Sequence, residues 1–287
     1  MKQINILSGK GGTGKTTVTA CLAVLAKDPV LADCDVDASN LHLLLKPVIK
    51  ETQDFKGLNM AVIDTEKWIQ CNRCMDICRF NAIKNYTVDP LHCEGCKTCV
   101  VSCPVQAIDF VERICGQAYI SDTEYGPMSH ARLTPGMENS GKLVTLVRKN
   151  ATKLAEDTGR QLVLVDGPPG IGCPVIASLS NIDNSLVVVE PTLSGIHDLK
   201  RVIKLLKKFE IRPLVCINKY DINVENSKEI EDYCKTKCID TLGRIPFDPK
   251  VTEAMVNATP VVKYAPESPA SRAIKDIWNN LRETILT

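Results

Sequence analysis

The stretch "QINILSGKGGTGKTTVTACLAVLA", Gln3 to Ala26, constrains this chain more than any other. A short apolar run, Ile4 to Leu7, enters a glycine-rich loop, then Gly-Lys-Thr, then an apolar segment of helical length. In that order, glycines let backbone N–H groups curl around phosphate oxygens at the positive end of a helix. Gly11, Gly12, Thr13, Gly14, Lys15, Thr16 and Thr17 are the expected nucleotide-binding set. Lys15 is expected on the β/γ phosphates and Thr16 on Mg²⁺.

Further apolar runs end in carboxylates. "VLADCDVDASN" places Asp33, Asp35 and Asp37 at the end of a second strand, and "QLVLVDGPPGIGCP" runs through a strand to Asp166 and a tight turn. "SLVVVEPTLSGIHDLKRVIKLLKKF" and "RPLVCINKYDIN" read as further strand–helix units. The alternation predicts an α/β fold, a doubly wound and mostly parallel sheet, with the nucleotide at the carboxyl ends of the strands. Asn218 to Asp221, "NKYD", formally matches a guanine-reading element, yet an asparagine amide pairs equally well with the N6/N7 edge of adenine. Asn218 is therefore an expected base contact.

Lys10, just before the glycines, is not part of an ordinary P-loop. With it, "KGGTGKTT" resembles the deviant Walker A loop of the MinD/ParA/Mrp class of ATPases, which includes the nitrogenase iron protein. The resemblance implies ATP rather than GTP, and a dimer in which Lys10 reaches the partner's nucleotide. It implies that Asp35 orients the attacking water, with Lys10, Lys15 and Asp35 catalytic. It also implies that Mg²⁺ is held through Thr16, Asp35 and Asp166. "GRIPFDPKVTEAM" resembles the segment that covers the base in this class.

Fourteen cysteines in a chain of 287 residues, entered at once by a strand, favour metal over disulfides. Seven lie between Cys71 and Cys103, in two runs offset by 25 residues: "CNRCMDICRFNAI" and "CEGCKTCVVSCPVQAI". Cys93, Cys96, Cys99 and Cys103, followed by Pro104, have the spacing of a two-cluster ferredoxin, whose fourth cysteine ligates the other cluster. Zinc also takes four thiolates, but the Cys-Pro ending and the duplication favour iron–sulfur. Crossing the fourth cysteines gives a complete [4Fe-4S] set, Cys78, Cys93, Cys96 and Cys99, and an incomplete one, Cys71, Cys74 and Cys103.

The missing ligand falls at Trp68, which the 25-residue shift pairs with Cys93. Indole N–H only donates and cannot replace a thiolate. Three readings stay open here. The site holds [3Fe-4S] or a [4Fe-4S] with one open iron; a further ligand such as Asp64, Cys115 or a partner cysteine completes it; or Trp68 fills a site without a cluster. His92 reads as a loop residue.

The whole chain resembles MinD-superfamily ATPases that carry an inserted ferredoxin domain. Cysteine is usual there at the Trp68 position, and proline where this chain has Arg79. The implied organisation is an ATPase domain over 1–63 and 111–287, with an inserted iron–sulfur module over 64–110. "EYGPMSHARLTPGMENSGKLV", with a second Ser-Gly-Lys at Ser140 to Lys142, is expected to be a mobile loop. The leading functional expectation is a nucleotide-gated electron-transfer ATPase. The alternative is a carrier in iron–sulfur or metal-cofactor assembly, and a positioning ATPase comes third. Expected partners are a second copy or a related ATPase, and a redox or metallocofactor protein. A net charge of +1 gives no case for nucleic acid, and no membrane anchor or leader is read, so the expected location is the cytoplasm.

Overall fold

The computed structural model describes residues 1–136 and 140–286. It opens with strand β1 (Lys2–Ser8), helix α1 (Lys15–Ala26), β2 (Val30–Asp33), α2 (Leu41–Leu45) and the long β3 (Val48–Ile63). The cysteine region contributes α3 (Arg73–Asp76), β4 (Ile83–Lys84), β5 (Thr87–Val88) and α4 (Thr98–Ser102). The chain returns through β6 (Ile108–Thr123), β7 (Gly126–Leu133), α5 (Ser140–Thr158), β8 (Leu162–Pro169), α6 (Cys173–Ser178) and β9 (Asn184–Val189). It closes with α7 (Leu193–Lys208), β10 (Arg212–Asn218), α8 (Val224–Thr236), β11 (Asp240–Ile245), α9 (Pro249–Val256), α10 (Val261–Tyr264) and α11 (Pro269–Leu286).

Among the described residues one sheet has the order β11-β10-β9-β1-β8-β2-β7-β6-β3. The pairs β1–β8, β1–β9, β9–β10, β10–β11, β2–β8 and β2–β7 are parallel. Crossover helices cover parallel strands on both faces, so these strands are continuous apolar runs and not alternating ones. Ile4, Ile6, Leu164, Leu186 and Leu214 of the central strands pack with Val18 and Leu22 of α1. From α11 the same core takes Ala270, Ile274, Ile277, Trp278, Leu281 and Ile285, one stripe at helical spacing. No helix among the described residues is long and apolar enough to cross a membrane.

The described chain divides into two compact units. The first holds Met1–Thr52, Ala118–Arg132 and the chain from Ser140 onward; the second holds Gln53–Gln117 and the stretch beginning at Leu133. The expected module, 64–110, lies inside the second unit, which also takes in parts of β3 and β6.

In the second unit the 25-residue repeat of the sequence is also a repeat of conformation. Asn72 and Lys97 both precede a short helix with positive φ, 61° and 66°. Asn81 and Gln106 both have φ 49°. The Ala82 N–H donates to Cys78 Sγ at 3.4 Å, and the Ala107 N–H donates to Cys103 Sγ at 3.2 Å. Ile83 and Ile108, also 25 apart, meet Cys74 and Ala61 in a separate small core.

The expectation of a mobile loop over 124–144 is corrected for most of its length. Gly126–Leu133 is β7, whose residues Met128, Ser129, His130 and Ala131 are all buried, and Gly141 and Lys142 lie in the first turn of α5. The Gly and Pro content obscured a strand that is buried on both faces. Residues 137–139 of that stretch lie outside the described residues.

Candidate functional site

Gly14, with φ 90°, precedes the first residue of helix α1 and offers it no side-chain cap. By contrast, Thr192, Asn223 and Asp248 cap α7, α8 and α9 with their side chains. An uncapped first turn leaves backbone N–H donors free for an anion, and the helix dipole favours one there. Those donors open on a cleft of about 660 Å³ lined by Gly11 to Val18, Asp35, Asn218, Pro246, Phe247, Val251 and Met255 among others. This size suits a nucleotide.

Lys15 is 6% exposed, with its ammonium 2.9 Å from Asp166 Oδ1 and 3.7 Å from Asp35 Oδ2. The Thr16 hydroxyl donates to Asp166 Oδ2 at 2.8 Å, and the Thr19 hydroxyl to Asp166 Oδ1 at 2.9 Å. Thr19 was missed in the sequence, although its i+4 spacing from Lys15 puts both on one helix face. Asp33 lies buried beside them, accepting from the Ser39 hydroxyl at 2.6 Å and the Asp35 N–H at 3.1 Å.

Asp33, Asp35 and Lys15 are all shifted from their ordinary ionisation. Burial, with Asp166 adding to it, pushes Asp33 up to about 7. Burial also raises Asp35, against the pull of Lys15. For Lys15, burial alone would lower the pKa, but Asp166, Asp35 and Asp33 together hold it above its ordinary value. The cluster carries excess negative charge and favours a further cation. Among the described residues no three His, Cys, Asp or Glu side chains converge on a single metal ion. Mg²⁺ beside a nucleotide is typically held by one or two carboxylates, the rest being phosphate, hydroxyl and water, so Asp35 and Asp166 with the Thr16 hydroxyl fit that role.

Lys10 does not line the cleft. Its ammonium donates to the Thr192 and Ser194 hydroxyls, both at 3.1 Å, and lies 3.8 Å from Glu190 Oε2. Lys219 pairs with the same carboxylate at 2.5 Å. This cluster was not read from the sequence, though Glu190 stands just past β9, where ligands of such sheets bind. Asn218 is in the cleft wall, but its Nδ2 donates to the Thr13 carbonyl at 2.7 Å and its Oδ1 accepts from the Lys219 N–H at 3.0 Å. One N–H and one lone pair are left for a base.

In the second unit, Cys78, Cys93, Cys96 and Cys99 line one cavity. Cys71, Cys74 and Cys103 line another with Trp68. Each run's last cysteine thus sits with the first three positions of the other run. Burial raises the Cys74 thiol, and the neighbouring Cys71 and Cys103 push the same way. Neither Asp64 nor Cys115 is among the residues lining the three-cysteine cavity. The Asp64 carboxylate is occupied by the Glu66 N–H at 3.0 Å and by Lys67 at 2.9 Å, and Cys115 is buried. Trp68 lies against Tyr86, ring centroids 3.7 Å apart at 51°, and Tyr86 in turn donates to Asn72. The Trp68 indole N–H is buried without a partner among the described residues. His92 pairs with Asp89 at 2.7 Å and lines neither cavity.

Comparison with known proteins covers both units. The family model of the CobQ/CobB/MinD/ParA nucleotide-binding domain matches residues 4–261. An uncharacterized protein of Methanocaldococcus jannaschii is 31% identical over 99% of this chain and 97% of its own. The iron–sulfur cluster carrier protein of Pyrococcus horikoshii is 25% identical over 97% of this chain and 85% of its own. The Mg-ADP complex of the septum site-determining protein MinD from the same species superposes with a TM-score of 0.61 at 21% identity, covering 99% of this chain and 96% of that one. The chain belongs to the CobQ/CobB/MinD/ParA nucleotide-binding family, as a P-loop ATPase with a mostly parallel α/β fold.

Proposed function

We propose that this ATPase handles iron–sulfur clusters, which its cysteine unit binds and passes to an acceptor protein under control of ATP. The observation that carries the reading is the unequal pair of cavities, one with four cysteines and one with three beside Trp68. The donor chemistry fits: soft thiolates in apolar surroundings, with backbone N–H groups aimed at Cys78 and Cys103 sulfurs, are how proteins hold and tune such clusters. Their sulfurs attach to separate irons, so they need not converge on one ion. Similarity to proteins named iron–sulfur cluster carriers supports delivery.

Cys78, Cys93, Cys96 and Cys99 would hold a resident [4Fe-4S] cluster, which supplies one-electron chemistry when bound. Cys71, Cys74 and Cys103 would hold the cargo, a cluster with one iron free for a thiolate of the acceptor. In the ATPase unit, α1 N–H groups and Lys15 bind the phosphates, Thr16 and Asp166 hold Mg²⁺, and Asp35 orients water. Lys10 leaves Thr192 and Ser194 to reach the nucleotide of a second copy. The ferredoxin spacing of the complete set favours a second reading, ATP-gated electron transfer to a partner.

Iron and acid-labile sulfide per chain, measured after anaerobic purification and again after incubation with an apo-ferredoxin and ATP, test this. Delivery requires iron to leave with ATP and to appear in the acceptor. Retained iron with ATP-dependent reoxidation of the reduced protein would establish the second reading instead. A chain that binds no iron or sulfide when reconstituted would defeat both.

A further inference from the structure

The Asn-Lys-x-Asp element at Asn218 to Asp221 has the letters of a guanine reader but not its geometry. Asp221 is not among the residues that line the nucleotide cleft, although Asn218 and Lys219 are. Its Oδ1 instead accepts the Phe247 backbone N–H at 2.7 Å. Phe247 does line the cleft, between Pro246 and Asp248, which caps α9 through the Lys250 N–H. A second tie runs alongside: the Arg244 guanidinium lies 5.0 Å from the centre of the Tyr220 ring. The register Asn218↔Ile245 brings the ends of β10 and β11 side by side, so both ties join the turn after β10 to the exit from β11.

Phosphates belong at the α1 end of the cleft, which leaves Asn218, Pro246, Phe247, Val251 and Met255 to meet the base. A guanine contact needs both carboxylate oxygens of the aspartate turned to N1–H and the 2-amino group. Here one oxygen is drawn to the backbone that carries the cover. We propose that Asp221 is a positioning residue, which hangs the Phe247 cover over the base and thereby favours adenine, without touching the base itself. This inference rests on the ATPase unit alone and is independent of the iron–sulfur reading.

Equilibrium binding of ATP, GTP and xanthosine triphosphate to the full chain, wild type against D221A and D221N, tests it. Asparagine keeps an acceptor for the Phe247 N–H, so D221N should bind ATP within about twofold of wild type, and alanine should weaken ATP about three- to tenfold. Wild type should prefer ATP to GTP, and D221N should gain nothing for xanthosine triphosphate. A base-reading aspartate behaves otherwise: wild type prefers GTP, and D221N transfers that preference to xanthosine triphosphate, whose 2-oxo group matches an amide N–H. That pattern, or D221A with unchanged ATP affinity, overturns the proposal.

Discussion

Lys15 and Asp166 form an ion pair at 2.9 Å in which the lysine side chain is 6% exposed and the aspartate not at all. Each satisfies the other's charge in a site where neither is open to water. The pair is therefore a structural element of the phosphate-loop region as well as part of the candidate site.

Lys15→Ala leaves the Asp166 carboxylate buried with only hydroxyl donors, Thr16 and Thr19. Breaking one side of a buried pair typically costs about 3–5 kcal/mol. Calorimetric titration with ATP should show no binding, and the melting temperature should drop. Iron content should stay at the wild-type value if the cysteine unit holds its clusters independently. Loss of iron in this variant would contradict the division of labour between the two units.

Asp33 sets a pH dependence. Its folded-state pKa of about 7 lies above the ordinary 3.8, so the folded chain binds more protons than the unfolded one between those values. Stability from this group is full at low pH and declines as pH rises from about 4 to about 7. Thermal melts of the nucleotide-free protein across that range should therefore show a downward contribution that Asp33→Asn removes. An identical pH profile in the variant would mean that Asp33 is not the group responsible.

The crossed cysteine arrangement separates variants that look equivalent in sequence. Cys78→Ser should behave like Cys93→Ser, abolishing the four-cysteine cluster, although Cys78 is closest in sequence to Cys71 and Cys74. Cys103→Ser should instead disturb the three-cysteine site. EPR of the dithionite-reduced proteins distinguishes them. Uncrossed behaviour, with Cys78→Ser sparing the Cys93 set, would refute the pairing.

Gly95 has φ +61°, and a Cβ there would stand 2.5 Å from the Asn59 carbonyl oxygen. Backbone cannot yield as a flexible side chain does, so Gly95→Ala should destabilise the cysteine unit by about 1–3 kcal/mol. Iron retention during dialysis should fall, while ATP affinity stays within about twofold of wild type. Equal iron retention would show that the loop accommodates the methyl group.

Glu190 draws on both Lys10 and Lys219, at 3.8 Å and 2.5 Å. If Lys10 must leave this cluster to engage a second copy, Glu190→Gln should lower the ATP concentration that drives dimerisation, and Lys10→Ala should prevent it while leaving monomer binding intact. Sedimentation velocity over an ATP series measures both. A dimer that forms normally in Lys10→Ala would remove this lysine from the interface.

How much of this was legible depended on how locally each feature is encoded. The phosphate loop could be read because strand, glycines and Lys15 are contiguous, and the Asp33–Asp35 and Asp166 strand ends because an apolar run announces each. The grouping of the cysteines around two cavities was legible because a duplicated spacing carries its own alignment, with Trp68 as the one letter out of register. Lys10 on Thr192 and Ser194 was not, since those partners are more than 180 residues away and hydroxyls mark no motif. Nor was β7, where glycine and proline at its start outweighed a short run buried on both sides. The mostly exposed β3 also lacks a continuous apolar signal; its charged middle suits an edge strand.

The chain leaves the ATPase unit within β3 and comes back within β6, and these strands are neighbours, with Lys50 paired to Asp122 at 3.3 Å. An excursion whose departure and return lie side by side asks for no rethreading of its host. The cysteine segment is thus joined to the rest of the chain through two neighbouring strands of one sheet. A chain in which a short turn joins β3 directly to β6 should therefore keep its ATPase unit folded, and nucleotide binding by that shortened chain measures it.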